Sequence, residues 1–106
     1  MKEITDNEVI QFVGIRDLDP MEQEVVHRLT TEYYSRIKRQ LKNITDLVVH
    51  IKCMKKEGDR KKFSMHIRAI APTGMVEADK ASDFDLSRAL HKGFEDVMQL
   101  IKHKFH

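Results

Sequence analysis

Two neighbouring segments of the chain alternate apolar and polar residues, and this pattern constrains the fold more than any other feature. Residues 46–54 and 63–71 each place an apolar side chain at every second position. Such alternation is typical of a strand with one buried face. The polar segment 55–62, with Gly58 at its centre, predicts a hairpin loop between the two strands. The positions predicted to face the core are Leu47, Val49, Ile51, Cys53, Phe63, Met65, Ile67 and Ala69, and those on the opposite face are His50, Lys52, His66 and Arg68.

Two further segments carry apolar residues at helical spacing. The first begins at Asp19-Pro20, where Asp19 suits the N-cap and Pro20 the first helical position, and continues to Asn43. The second is predicted to begin with a capping box, Ser82 to Asp85. Gly93 falls on its apolar face, where a glycine indicates close packing against this helix.

Shorter strands are predicted at 8–15 and 75–81, which completes the order β-α-β-β-β-α. Because each long strand and each helix has one apolar face, the expected fold is a two-layer α+β sandwich. It has a four-stranded sheet with both helices packed on one face, and the other sheet face is open. The 106 residues predict a single domain, 1–106, with 1–7 as a flexible N-terminal tail.

Composition excludes several classes of protein. A single cysteine excludes an internal disulfide framework, and no apolar run approaches the ~18 residues that span a bilayer. The first seven residues are polar and include two acids, unlike a signal peptide. A cytoplasmic protein that does not bind membranes is therefore expected.

Catalytic motifs are absent from the sequence. The four glycines are isolated, so they form no phosphate-binding loop. Cys53 is predicted to be a small core hydrophobe rather than a nucleophile. His103 and His106 offer only two ligands, too few for a metal site. No enzyme activity, small-molecule substrate, cofactor or metal is expected.

Positive charge is concentrated in the middle of the chain. The net charge is +2, but residues 1–32 carry −5, residues 33–72 carry +8 and residues 73–106 carry −1. Clustered bases of this kind favour a phosphate backbone. Two alternatives stay open: late bases also complement a helix dipole, and a basic loop is equally consistent with a solvated loop. The bases belong to the first helix (Arg36, Lys38, Arg39, Lys42), the loop (Lys55, Lys56, Arg60, Lys61, Lys62) and the open sheet face (Lys52, Arg68).

Aromatic residues are largely missing from the predicted open face. Phe63 is expected to point inward, and Tyr33 belongs to the core stripe of the first helix. Single-strand readers stack bases on sheet aromatics. Recognition of RNA shape and phosphates is therefore expected, rather than sequence-specific base readout.

Several segments together resemble the ribosome hibernation promoting factor and ribosome-associated inhibitor A family. The likeness extends over nearly the whole chain from Val9. The first strand ending in Gly14 and the capped helix after it are similar to the family's opening. The other segments that carry the resemblance are Asn43–Lys52 (NITDLVVHIK), Thr73–Ala78 (TGMVEA), Asp85–Leu90 (DLSRAL) and Gln99–Lys104 (QLIKHK).

The resemblance implies a non-enzymatic translation inhibitor that occupies the messenger and transfer RNA channel of the small ribosomal subunit. Its partner would be ribosomal RNA, and the chain would be a short-type member without the family's extra C-terminal domain. Participation of other hibernation factors stays open. The RNA-binding residues carried over are Arg36, Lys38, Arg39, Lys42, Lys52, Arg68, Lys80, Arg88, Lys92, Lys102 and Lys104, and the loop bases are added from this sequence itself.

Two alternative functions use the same basic surface. One is a small protein-interaction module that binds an acidic partner through the basic loop. The other is a double-stranded RNA binder, because that class shares the α-β-β-β-α core.

Overall fold

The computed structural model describes residues 9–55, 58 and 60–105, and it confirms the α+β fold. A mixed sheet and two helices make up this part of the chain. A short 3-10 turn, Ile15–Asp17, precedes the first helix. The elements are β1 (Ile10–Val13), α1 (Pro20–Gln40), β2 (Asp46–Lys55), β3 (Lys61–Ala71), β4 (Gly74–Ala78), β5 (Ser82–Asp83) and α2 (Leu86–Phe105).

The four main strands lie in the order β1-β2-β3-β4. β1 and β2 are parallel, with Ile10 opposite Leu47, and α1 connects them. The other pairs are antiparallel, and β2 and β3 stay in register from Asp46 opposite Ile70 to Lys55 opposite Lys61. The short β5 adds a fifth strand beside the start of β3, where Asp83 lies opposite Phe63.

Both helices cover one face of the sheet, as predicted. The alternate strand positions beneath them are buried, and Leu47, Val49 and Ile67 are completely inaccessible. α2 lies over β3 and β4. The two helices meet where Tyr33 stacks on Phe94, with ring centroids 4.9 Å apart. The opposite face of the sheet has no covering layer in the described part of the chain.

The predicted start of α1 is confirmed. Asp19 accepts a hydrogen bond from the backbone N–H of Glu22 at 2.8 Å, and the Glu22 carboxylate accepts one from the Asp19 N–H at 3.0 Å. The turn before α1 depends on Gly14, whose φ is +87°. A Cβ at this position would overlap the carbonyl oxygen of Ile51. Only glycine therefore allows β1 to turn this close to β2.

The predicted start of α2 is wrong. Ser82 and Asp83 form β5 instead of a capping box. Asp85 is the capping residue, because its side chain accepts a hydrogen bond from the Arg88 N–H at 3.0 Å and its carbonyl accepts one from Ala89. Competition from strand pairing explains the difference, since β3 extends far enough to pair with Ser82 and Asp83.

Gly93 marks a close approach between α2 and the sheet. A Cβ added there would lie 2.9 Å from Cδ1 of Ile67 and 3.2 Å from Cβ of Met65. The missing side chain lets the helix backbone lie directly on β3. The close packing inferred from the sequence is thus a contact with a strand and not with the other helix.

The two helices run in the same direction. α1 begins near the hairpin, where Glu22 contacts Lys61, and α2 begins beside β5. At the other end Thr45, shortly after α1, bonds the carbonyl of Ile70 at 2.8 Å. Lys104, at the end of α2, bonds the carbonyl of Met75 at 2.9 Å. Since Ile70 and Met75 are partners in the sheet, both helices end at the same edge of the molecule.

Most predicted boundaries differ from the observed ones by a few residues. The first strand is limited to Ile10–Val13, and α1 ends at Gln40 rather than Asn43. The predicted last strand, 75–81, is limited to β4, Gly74–Ala78, and β5 begins after it. The predicted tail, 1–7, lies outside the described residues. Neither described helix is apolar enough over a sufficient length to cross a bilayer.

Candidate nucleic-acid interface

The predicted RNA-binding bases are distributed over separate regions of the molecule rather than one surface. Bases of the first helix lie at the end where both helices finish, whereas the hairpin bases lie at the opposite end. α1 spans about 30 Å between these ends, at 1.5 Å per residue. The bases therefore fall into four regions: the helix ends, the hairpin, the start of α2 and the open sheet face.

The parallel helices place six bases from distant parts of the sequence at the same end of the molecule. α1 supplies four of them in and just after its last turns, and the last turn of α2 supplies two. All six side chains are exposed. This helix-end cluster consists of Arg36, Lys38, Arg39, Lys42, Lys102 and Lys104.

Local contacts orient several cluster side chains. The Arg36 guanidinium lies 4.9 Å from the ring centroid of Tyr33, and the Lys38 ammonium lies 5.5 Å from that of Tyr34. Both rings are buried, so the cations rest on a fixed aromatic surface while their charge stays in solvent. Lys104 is held by its bond to the Met75 carbonyl.

No base of the helix-end cluster forms an ion pair with a carboxylate of residues 9–55, 58 and 60–105. The ion pairs found there are all elsewhere: Lys61–Glu22, His66–Glu77, Arg68–Glu77 and Lys92–Asp83. Six exposed cations without such counter-charges leave their positive potential available to an external anion.

A polar contact between the helices lies next to Arg36. The Tyr33 hydroxyl is 2.6 Å from Nδ1 of His91 and 3.5 Å from Oε2 of Glu95. Burial raises the pKa of the Tyr33 hydroxyl above its ordinary value of 10.0, and the nearby Glu95 charge raises it further. The hydroxyl stays protonated and joins the two helices beside the cluster.

The hairpin bases have different environments. Lys61 points to the helix layer and pairs with Glu22 at 3.3 Å. Arg60 and Lys62 instead lie over the ring of Phe84, with the Arg60 guanidinium 4.0 Å and the Lys62 ammonium 5.8 Å from its centroid. Only the backbone of Lys55 is described, and Lys56 lies outside the described residues.

Phe84 is a candidate binding residue that the sequence interpretation missed. The predicted capping box, Ser82 to Asp85, included Phe84 without a role of its own. In the structure the Phe84 side chain is 42% exposed beside β5. Pairing of β5 with β3 brings the ring to the hairpin bases. No local pattern around Phe84 predicts this contact, because the contact depends on the pairing of β5 with β3.

Of the three bases near the start of α2, only Lys92 is ion-paired in the described chain. Lys92 forms an ion pair with Asp83 at 2.9 Å. The hydrogen bond from the Asp85 N–H lowers the pKa of Asp83 below its ordinary 3.8, and Lys92 lowers it further. Arg88 and Lys80 are exposed, and neither has an ion-pair partner in the part of the chain that the structure describes.

The open sheet face carries charges of both signs. The His50 and His66 rings lie side by side with centroids 6.5 Å apart. His66 contacts Glu77 at 2.6 Å, which is the main reason that the pKa of Glu77 is below its ordinary 4.5. Arg68 forms a longer ion pair with the same carboxylate at 3.5 Å. Lys52 is thus the exposed base of this face without an ion-pair partner among the described residues.

The described residues contain no cluster of three or more side chains that could hold a metal ion. Neither a scan against protein-family models nor a search of curated proteins finds a match for this chain. The arrangement of its own bases is therefore the basis for a functional proposal.

Proposed function

We propose that this protein binds ribosomal RNA of the small ribosomal subunit through the helix-end cluster and inhibits translation by occupying the messenger and transfer RNA channel. The observation that carries the proposal is the convergence of six exposed bases at the common end of two parallel helices, without ion-paired carboxylates in the described chain. The resemblance to hibernation factors supplies the choice of the ribosome.

The proposed mechanism requires complementary charge and shape but no catalytic step. Lysine and arginine side chains displace condensed counterions from RNA phosphates, which supplies much of the binding free energy. The helices hold the backbone of these bases in a rigid layer, so the cost of ordering the backbone on binding is small. A protein held in this way excludes messenger and transfer RNA sterically.

Co-sedimentation with ribosomal subunits over a salt series tests the proposal. We expect binding to the small subunit that weakens steeply with salt, with a log–log slope of about 0.7–0.9 per phosphate contact. Changing Lys38, Arg39 and Lys42 to Glu is expected to abolish this binding, because the three side chains are exposed and lie off the core. The parent protein should inhibit in vitro translation, and this variant should not.

Two further variants separate charge from fold. Acidic residues near a helix C-terminus oppose the dipole, so the same three positions are also changed to Gln, which should reduce the slope by about 2–3. The control changes Arg16 to Glu, because this exposed base lies outside both the cluster and the hairpin. Absence of small-subunit binding at low salt, or full binding by the Lys38/Arg39/Lys42 variants, contradicts the proposal.

Competition with duplex RNA distinguishes the double-stranded RNA alternative. If the helix-end cluster recognises the ribosome, a short random-sequence duplex should displace the protein only at large excess. Equal competition by duplex and small subunit would favour a general duplex binder.

A further inference from the structure

We infer that the exposed ring of Phe84 and the two hairpin bases over it form a second RNA contact, which stacks one unpaired nucleotide. This site lies at the opposite end from the helix-end cluster. The inference rests on the proposed function only in taking RNA as the ligand.

The backbone of Phe84 is held in place on both sides. On its N-terminal side, Asp83 pairs with Phe63 in the sheet. On its C-terminal side, the Asp85 N–H bonds the Asp83 carboxylate at 2.9 Å, and Asp85 caps α2. A large apolar ring that is 42% exposed on a fixed backbone offers stacking area at little entropic cost.

The two bases supply the charge that a nucleotide requires. Arg60 and Lys62 lie 4.0 and 5.8 Å from the ring centroid, and neither forms an ion pair within the described segments. Aromatic rings next to basic side chains bind single-stranded RNA, because each nucleotide carries a flat nucleobase and a phosphate. An arginine that already lies over the ring can also extend the stack.

A cleft beside the ring gives the nucleotide an orientation. Its volume is about 640 Å³, and its lining includes the apolar side chains of Val25, Phe63 and Phe84. Its lining carries one basic residue, Arg28, against four acidic ones, Asp19, Glu22, Glu24 and Asp85, so a phosphate is disfavoured inside. The nucleobase of the bound nucleotide is therefore placed toward the cleft, and its phosphate toward Arg60 and Lys62.

Fluorescence titration with hexauridylate tests this site on the isolated protein. The chain contains no tryptophan, so Phe84→Trp introduces a single reporter on the proposed stack. We expect hexauridylate to quench this tryptophan and to bind at low salt, while a blunt duplex of the same length causes no comparable quenching. No quenching at low salt overturns the inference.

Substitutions then separate stacking from charge. Phe84→Leu keeps an apolar side chain but removes the aromatic face, and it should weaken hexauridylate binding about tenfold, measured by anisotropy of labelled RNA. Leu100→Ala, at another exposed apolar residue, should have no effect. Arg60→Gln should lower the salt slope by about 0.7. Unchanged affinity of Phe84→Leu overturns the inference, even if the hairpin bases still bind RNA.

Failures of the two proposals are distinguishable. Loss of hexauridylate binding in Phe84→Leu with small-subunit binding retained supports the second contact and leaves the helix-end cluster in place. Hexauridylate binding without any small-subunit binding overturns the ribosome proposal alone.

Discussion

Gly93 lies where α2 comes closest to the sheet, and its lack of a side chain determines how near the two layers pack. We expect Gly93→Ala to lower the free energy of unfolding by about 1 kcal/mol. The new methyl group crowds Met65 and Ile67, which are almost fully buried and have little room to move. Overpacking typically costs about 1–3 kcal/mol, against a gain of about 1 kcal/mol in helix propensity.

Urea denaturation followed by circular dichroism measures this difference. Gln99→Ala, on the exposed side of the same helix, is the control and should change stability little. A Gly93→Ala protein that is more stable than the parent would show that β3 yields to the methyl group at no cost.

Single residues also show why part of the candidate site was unpredictable. The bases themselves are visible in the sequence, since Lys and Arg are mostly exposed in any fold. Phe84 is different, because an aromatic residue is buried or exposed according to what packs on it. Its exposure follows from β5, a strand of two residues without any periodic pattern.

At the scale of elements, Asp83 links β5 to α2. Its carboxylate accepts the Asp85 N–H and pairs with Lys92 at 2.9 Å, and both contacts lower its pKa. A carboxylate whose folded pKa is depressed stabilises the fold above its unfolded pKa, near 3.8, and this contribution is lost as pH falls through the folded pKa.

We therefore expect Asp83→Asn to be less stable than the parent at pH 5–8, and the difference to shrink below pH 4. Asparagine keeps an oxygen that can accept the Asp85 N–H, so the variant removes mainly the charge. Thermal unfolding from pH 3 to pH 8 measures the difference. A stability gap that is equal at every pH would show that Asp83 acts without its charge.

The helices and long strands were predicted better than the short elements for a related reason. α1 combines a capping box with a stripe of apolar residues, and both signals are local. β2 and β3 alternate over ten and eleven residues. β4 and β5 are too short to show such a pattern, so their limits depend on where β3 offers a pairing partner.

At the scale of the whole molecule, the fold separates the bases by about one helix length, roughly 30 Å. If the helix-end cluster and the hairpin bases contact RNA independently, their effects on small-subunit affinity should add. We expect the variant with Lys38, Lys42, Arg60 and Lys62 changed to Gln to lose the sum of the two pairwise losses, within about 0.5 kcal/mol.

Filter binding with purified small subunits at fixed salt measures the affinity of the parent and of three variants. These are the Lys38/Lys42 pair, the Arg60/Lys62 pair and all four residues together, each changed to Gln. Since the two regions share no contact among the described residues, indirect coupling through the fold should be small. A combined loss far from the sum would show that both regions act on one RNA segment or that one variant alters the fold.

The long strands, the two helices and the total supply of charge follow from patterns along the chain. Alternation, helical spacing and the cap at Asp19 are properties of consecutive residues, so they predict strands and helices without knowledge of the rest. Which bases become neighbours depends on how the elements pack. Parallel helices unite bases from residues 36–42 and 102–104 at one end, and β5 places Phe84 beneath Arg60. Such contacts depend on sheet register and layer packing, which join residues distant in the chain.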